Sequence, residues 1–257
     1  GDAVIKSGVV SNREGYPLNS VFGLKYCGKI QTQDQLDKYI NQYANGNNNI
    51  AMPGNLRLGD NMYEDVNKDG KLTEADYVYL GTDDPKVSFS FNAGLSWKGF
   101  DVSVIFQGAG KRTVWRGGEN NQKGKNDNWR IPMMSWYNNS TNQSVGNVWS
   151  AETPNAHYPT YTHQTQINLY NYICSSWSVE DGAYLRLKNV TLGYTFPANV
   201  LSKTKFISYA RIYVSGADLW ENSKIKDGWD PEANRKVDNS KRYPFLRTVT
   251  FGLNLTF

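Results

Sequence analysis

Asp65 to Asp76 reads DVNKDGKLTEAD, the one stretch of this chain whose residue types and spacing suit metal chemistry. The pattern is Asp-x-Asn-x-Asp-Gly with an acid at the twelfth position. Calcium prefers a shell of hard oxygen ligands wrapped by a tight loop. On that spacing Asp65, Asn67 and Asp69 are expected to supply side-chain oxygens. Lys71 would add its backbone carbonyl and Asp76 the closing carboxylate, while Gly70 permits the sharp turn. Thr73 is placed to contribute directly or through water. The twelfth residue is Asp rather than Glu, so weaker binding is expected. The competing reading is a surface turn rich in Asp and Asn that holds nothing. If calcium binds, its role is structural, stiffening a loop.

Other chemistry is poorly represented. His157 and His163 are the only histidines, six apart in HYPTYTH with no acid cluster beside them. That is a weak zinc signal, and surface-loop histidines are the plainer reading. There is no Gly-rich phosphate loop and no nucleophile elbow, so no catalytic residue is assigned and no enzyme is expected. The net charge of +4 is small and dispersed, which argues against nucleic acid. Asp181, Arg186 and Lys188 are read as solvated or paired charges. Cys27 and Cys174 leave a disulfide and two thiols equally open.

The elements that must carry these residues are strands. Arg247 to Phe257, RTVTFGLNLTF, alternates without a break. Val249, Phe251, Leu253, Leu255 and Phe257 share one face, and small polar residues share the other, as strand geometry requires. Its length matches a strand crossing a bilayer, roughly 9–11 residues. Lys86–Trp97 and Phe100–Gln107 repeat the pattern around a two-residue turn, Lys98-Gly99. Tyr184–Phe196 alternates from Asn189 onward. Before it the phase slips, with Leu185 and Leu187 on the polar side, as if the strand leaves the bilayer there. Phe206–Trp220 runs back. Asn19–Tyr26 is expected as the first strand of the same series, although Val21 breaks its polar face. One short helix is expected in TQDQLDKYINQYA, with Leu36, Tyr39, Ile40 and Tyr43 at helical spacing.

The mean hydropathy is −0.62 and no apolar run reaches 18 residues, so no membrane helix is on offer. A barrel strand meets lipid only at every second residue, so low hydropathy does not exclude the membrane. The connections alternate in length. Lys98-Gly99 and 197–205 are short; 28–85, which holds the calcium-type loop 65–76, 116–180 and 221–245 are long. Short periplasmic turns and long outer loops are the outer-membrane barrel pattern. The positions beside the short turns and the terminus are Trp97, Phe100, Phe196, Phe206 and Phe257, all on the lipid-facing parity. That is where an aromatic girdle belongs. A soluble β-sandwich has little reason to place aromatics at one level of an outward face.

The fold class is therefore all-β, with residues 1–257 read as the C-terminal part of a large transmembrane β-barrel of about six antiparallel strands here. Six strands cannot close a barrel, and an open edge cannot face lipid. The chain begins Gly1-Asp2, so a processed start or a piece of a longer protein is expected. The loop aromatics Trp115, Trp129, Trp136, Tyr137, Trp149, Tyr158, Tyr161, Tyr170, Tyr172 and Trp177 are read mostly as packing the loops together, with sugar or peptide stacking as the alternative for some.

Several blocks resemble one family. DVNKDGKLTEADYVYLGTDDPKVSFSFNAGLSWKGFDVSVIFQG is similar to the calcium loop and following hairpin of SusC/RagA-type TonB-dependent outer-membrane transporters of Bacteroidetes. WSAETPNAHYP, DGAYLRLKNVTLGYTFP, ARIYVSGADLW, WDPE and YPFLRTVTFGLNLTF resemble its later blocks in the same order. The resemblance implies an N-terminal plug domain and further strands elsewhere, closing a plugged barrel of roughly 22 strands. It implies import of glycans or oligosaccharides, or of peptides, driven through TonB by the missing N-terminal part. It also implies a SusD-like surface lipoprotein partner, outer-membrane lipid and lipopolysaccharide around the barrel, and a terminal strand read by the assembly machinery. One departure is the basic loop after Trp220, ENSKIKDGWDPEANRKVDNSKRYP. The alternatives are a non-gated outer-membrane porin or adhesin barrel and a soluble calcium-dependent sugar-binding β-protein.

Overall fold

The computed structural model describes residues 5–7, 10–43, 50, 52–115, 146–162, 164–204, 206–225, 230–232 and 246–257. In chain order the elements are β1 (Ile5–Ser7), β2 (Val10–Asn12), β3 (Ser20–Gly23), β4 (Tyr26–Lys29), α1 (Gln33–Tyr43), β5 (Asn61–Tyr63) and β6 (Val78–Thr82). They continue with β7 (Ser88–Trp97), β8 (Phe100–Ala109), β9 (Thr113–Trp115), α2 (Thr165–Asn171), β10 (Val179–Asp181), β11 (Tyr184–Thr195), α3 (Ala198–Leu201), β12 (Tyr209–Ser223) and β13 (Thr248–Thr256). The chain forms two compact units. One gathers 1–84 and 112–181; the other gathers 85–111, 182–232 and 243–257.

The second unit is built on one antiparallel sheet of five strands, in the order β13-β12-β11-β8-β7. The β7–β8 turn is Lys98-Gly99, with φ of 48° and 89°. Both positive values are what a tight primed hairpin turn demands, and the second residue needs to be glycine for a further reason. A Cβ on Gly99 would lie 2.7 Å from the Thr195 carbonyl of the next strand. The register places Phe91 opposite Phe106, Leu95 opposite Val102 and Trp97 opposite Phe100. Across the next ladders Val102 meets Leu192 and Val104 meets Val190. Leu192 meets Val214, which meets Phe251, while Ile212 meets Leu253. Directly opposed residues share a face of the sheet, so these side chains form one continuous apolar surface. Among the described residues nothing covers it at its most open points: Leu95 is 72% exposed and Phe251 81%. An apolar face of that extent belongs against lipid rather than water.

The opposite face is small and polar. Asn189, Thr191 and Ser215 form a hydrogen-bonded row. Asp101 on β8 pairs with Arg211 on β12, reaching over β11 at Gly193. A Cβ there would sit 2.4 Å from Arg211 Nη2 and 2.6 Å from Asp101 Oδ1, so the bridge needs glycine beneath it.

At the turn edge the expected aromatics are in place. Phe206 stacks on Phe257 with ring centroids 6.5 Å apart, and Tyr194 lies between Phe100 and Phe196. The connection 196–208 holds α3 and a 3-10 turn at Ser202–Thr204.

One expectation is corrected. Asn19–Tyr26 is not a strand of this sheet. It divides into β3, which pairs with β2 and β6, and β4, which pairs with β5. The physical reason is that both of its faces are covered. Val21 and Phe22, neighbours of opposite parity, are both buried. At Leu24 the backbone bonds instead to the 174–176 segment, through Leu24 N to the Cys174 carbonyl and Ser176 N to the Leu24 carbonyl. At the phase slip β11 stays paired on both sides. The slip is a β-bulge: Lys188 is an extra residue in the ladder to β8, while in the ladder to β12 the two residues Asp218 and Leu219 stand against Lys188. The extra residue resets the parity, so Leu187 faces the same way as Phe106, and Val190 the same way as Val104.

The first unit carries the other elements, in small sheets of order β1-β2-β3-β6, β4-β5 and β10-β9. The amphipathic α1 buries Leu36, Tyr39 and Tyr43 on one stripe, as its spacing predicts. They pack with Leu24, Ile30, Leu56, Tyr63, Leu72 and Tyr170 in one cluster. Its polar handles are satisfied internally. The Tyr39 hydroxyl accepts from Tyr63 N at 2.9 Å and shares a 2.6 Å hydrogen bond with the Tyr170 hydroxyl. Tyr63 Oη donates to the Tyr170 carbonyl. Asp60, Asn61 and Asn171 form a second buried polar group. Asn171 Nδ2 donates to Asp60 Oδ1 at 2.8 Å, and Asn61 N donates to Asn171 Oδ1. Burial pushes the Asp60 carboxyl above its ordinary range, opposed by the Asn171 and Arg57 hydrogen bonds. Trp115, Tyr170 and Tyr172 are buried, so loop aromatics do serve as core. Trp129, Trp136 and Tyr137 lie outside the described residues.

Candidate functional site: the calcium-type loop and the charged face of the sheet

The loop 65–76 is a turn organised by its own carboxylates. Lys68 and Gly70 have φ of 62° and 78°, which curls the backbone around Asp65. Asp65 Oδ1 accepts from Lys68 N at 2.6 Å and from Asp69 N at 3.2 Å, and Asp65 Oδ2 accepts from Gly70 N at 2.7 Å. Asn67 Oδ1 accepts from Asp69 N, and Asp69 Oδ1 from Lys71 N. Asp76 ties the two ends. Its Oδ1 accepts from Val66 N at 2.9 Å and its Oδ2 from Thr73 N at 2.8 Å. Thr73 in turn caps the 3-10 turn Glu74–Asp76.

The loop is seated by one apolar residue. Leu72 is fully buried in the α1 cluster, worth about 1.5–3 kcal/mol of apolar transfer. Tyr43, at the end of α1, lies beside Asp65. Burial pushes its phenol up to about 12, and the Asp65 carboxylate adds to the shift.

The donor chemistry suits calcium in part. Asp65, Asn67, Asp69, the Lys71 carbonyl and Asp76 are hard oxygens. Asp65 Oδ1 already accepts from two backbone N–H groups, while Asp65 Oδ2 and Asp76 Oδ2 accept from one each and keep a second acceptor direction. Among the described residues no Lys or Arg forms an ion pair with Asp65, Asp69 or Asp76. Equally, among the described residues no three His, Cys, Asp or Glu side chains form a metal-holding group by themselves. A cation here must therefore draw on Asn67 and the Lys71 carbonyl, as the spacing implies.

His157 is exposed, with its ring against Tyr158 and Trp177. Desolvation, then nearby Lys29, lowers its pKa. His163 lies outside the described residues. Cys27 is exposed and Cys174 buried, and no disulfide joins them.

The polar face of the sheet holds a charge cluster in which Arg186 and Lys188, read from sequence as solvated or paired charges, find partners that the sequence reading did not name. Arg186 is only 2% exposed. Its Nε donates to Glu221 Oε2 at 2.7 Å, from the directly opposed position on β12. Its Nη2 donates to Asp230 Oδ1 at 2.8 Å, and Nη1 lies 3.1 Å from Glu232 Oε1. Lys188, the bulge residue, donates to Glu232 Oε2 at 3.0 Å and lies 3.5 Å from Asp218 Oδ1. A buried guanidinium is tolerated only when its donors are matched in this way. The bulge itself was the available signal: it showed as the phase slip at Lys188.

Comparisons with known proteins follow this geometry. No protein-family model matches the chain. A TonB-dependent receptor of Formosa agariphila is 30% identical over 256 residues, covering 95% of this chain and 23% of the receptor. A second from the same organism is 27% identical over 265 residues, 24% of its own length. The TonB-dependent receptor SusC of Bacteroides thetaiotaomicron is 24% identical over 200 residues. The chain thus spans about a quarter of the relatives it matches. Among solved structures, the RagAB peptide importer in its open-open state superposes over the whole chain and 24% of its own, with a TM-score of 0.65 at 18% identity. Another, the RagAB peptide transporter, gives 0.63 at 20% identity. Those likenesses establish the fold, a segment of a large transmembrane β-barrel. In sequence and fold together this chain is similar to a segment of SusC/RagA-type TonB-dependent receptors, with a coverage consistent with the C-terminal part.

Proposed function

We propose that the chain is part of an outer-membrane transporter that imports oligosaccharides or peptides through TonB, together with a SusD-like surface lipoprotein. The observation that carries this is the five-stranded sheet with one uncovered apolar face and one polar face, in a chain similar to TonB-dependent receptors over 95% of its length. The edge bearing Trp97, Phe100, Phe206 and Phe257 would lie at the periplasmic interface. The regions 28–85, 116–180 and 221–245 would lie outside. The rest of the whole receptor would supply the remaining strands and the plug domain. Peptide is favoured over glycan only by the likeness in fold to the RagAB peptide importer. The test is uptake by cells expressing the full-length receptor, with labelled peptides and labelled oligosaccharides, with and without TonB. Uptake that ignores TonB would leave the porin alternative standing. Failure of a SusD-like lipoprotein to copurify would remove the partner.

We also propose a structural calcium ion at Asp65, Asn67, Asp69, the Lys71 carbonyl and Asp76. The prearranged turn around Asp65 and the burial of Asp76 support it. Isothermal titration of the purified receptor should show binding that Asp65→Asn removes. No heat at millimolar calcium would end the proposal.

A further inference from the structure

We propose that the turn Asp230-Pro231-Glu232 is a latch that fastens the β12–β13 connection to the polar face of β11, with the bulge at Lys188 as its receiving part.

The contacts all lie within the sheet unit. Glu232 is met by two cations of one strand. Arg186 Nη1 lies 3.1 Å away, and Lys188 Nζ lies 3.0 Å away. Tyr184 and Arg186 face the same side by strand parity. Lys188 joins them as the extra residue, and Asn189 and Thr191 continue the polar row beyond it. Without the bulge, the parity that puts Arg186 on the polar face would turn Val190 and Leu192 onto it as well. The bulge thus does two things at once. It keeps the apolar row of β11 continuous, and it presents one more cation beside Arg186.

The turn is shaped to be received. Asp230 Oδ1 accepts from Glu232 N at 3.0 Å, which folds the two acids toward the same side, and the same carboxylate accepts from Arg186 Nη2. Arg186 is nine-tenths or more buried, so its donors have no water to fall back on. Removing one acid leaves a buried guanidinium short of a partner, which couples the closure of the turn to the wall itself. Charge-assisted pairs of this kind also have directional demands that a merely solvated loop would not meet. The latch therefore holds the root of a long connection on the polar face of the barrel wall, rather than leaving it to swing.

The test uses the full-length receptor in detergent. Tryptic cleavage at Lys224, Lys226, Arg235 and Lys236 is followed in the parent, in Glu232→Gln and in Lys188→Met. Cleavage in both variants is expected to rise at least tenfold, while the barrel keeps its heat-dependent shift on gels. Parental cleavage rates in a folded Glu232→Gln protein would overturn the latch. Hydrogen exchange on the unmutated receptor gives a reading that needs no variant. The amide of Glu232 is expected to be protected, and exchange at the rate of an open loop would also overturn it.

Discussion

Replacing Leu253 with Arg tests the assignment of the two faces. Leu253 pairs with Ile212 on the uncovered apolar face, four residues from Phe257. At roughly 3.4 Å per residue and a tilt of about 40°, it stands about 10 Å above the aromatic level. The apolar band of such a barrel is about 25 Å tall, so Leu253 lies within a few ångströms of its midplane. An Arg at that depth costs about 2–4 kcal/mol. Because every 1.4 kcal/mol is tenfold, the folded population should drop by roughly 30- to 700-fold. The neighbouring inward position Asn254 is a poor control, because it lies directly opposite Arg211 and a second Arg there adds like-charge repulsion. Thr250, opposite Ser215 on the polar face, is the better one. The assay is urea unfolding of the full-length receptor in lipid vesicles, followed by the gel shift of the folded barrel. Leu253→Arg should lower the midpoint strongly and Thr250→Arg should shift it by under about 1 kcal/mol. Equal losses at the two positions would refute the reasoning.

Other positions give sharp contrasts. A Cβ on Gly23 would meet the Cys174 carbonyl carbon and oxygen, which are backbone and cannot yield, so Gly23→Ala should cost about 3 kcal/mol in thermal unfolding of the loop unit. Gly193→Ala meets only the ends of the Asp101 and Arg211 side chains; it should cost about 1 kcal/mol, and most of that should vanish in an Arg211→Met background. Tyr39→Phe removes a buried hydroxyl shared by Tyr63 N and the Tyr170 hydroxyl, and should cost about 1–3 kcal/mol by orphaning a donor. His157 has a folded pKa below its ordinary 6.5, so the unfolded chain binds the proton first. Stability of the first unit should fall as pH drops below about 6.5 and level off below the folded value, and His157→Gln should flatten that slope in hydrogen exchange of 147–158. An unchanged slope would remove His157 as its source.

What was legible in the sequence was the part governed by period alone. β7, β8 and β13 each carry an unbroken alternation because lipid covers one face and polar surroundings the other, and their ends fell within two residues of the expected ones. α1 was legible for the same reason, since one stripe is buried and the rest is not. Asn19–Tyr26 misled because a short alternating run looks the same whether one side or both are covered. Val21 was the warning: an apolar residue on the supposed polar face fits a strand buried on both sides, as β3 is. The metal-type loop was legible as a turn because Asp, Asn and Gly act through local backbone bonds, which Asp65, Asn67 and Asp69 do make.

The bulge at Lys188 shows why the rest was not. A break in alternation is visible in one strand, but its meaning is set by two others. If a strand leaves its sheet, the apolar residues beyond the break lose their partners; if it bulges, they regain them. Leu187 regains Phe106 on one side and Trp220 on the other, and Arg186 regains Glu221. The pairing of an Arg with a Glu 35 positions away cannot be read from a period, because it depends on which strands are neighbours. The sequence nonetheless held a usable hint. Arg186 and Lys188 are cations two apart, flanking an apolar residue, on a strand otherwise poor in charge; Asp230 and Glu232 repeat that spacing with opposite sign. A charge in a membrane strand is costly unless matched, so two such pairs in one wall segment imply each other. Extending the alternation rule from apolarity to charge would have placed the turn 230–232 against β11 before any coordinates did.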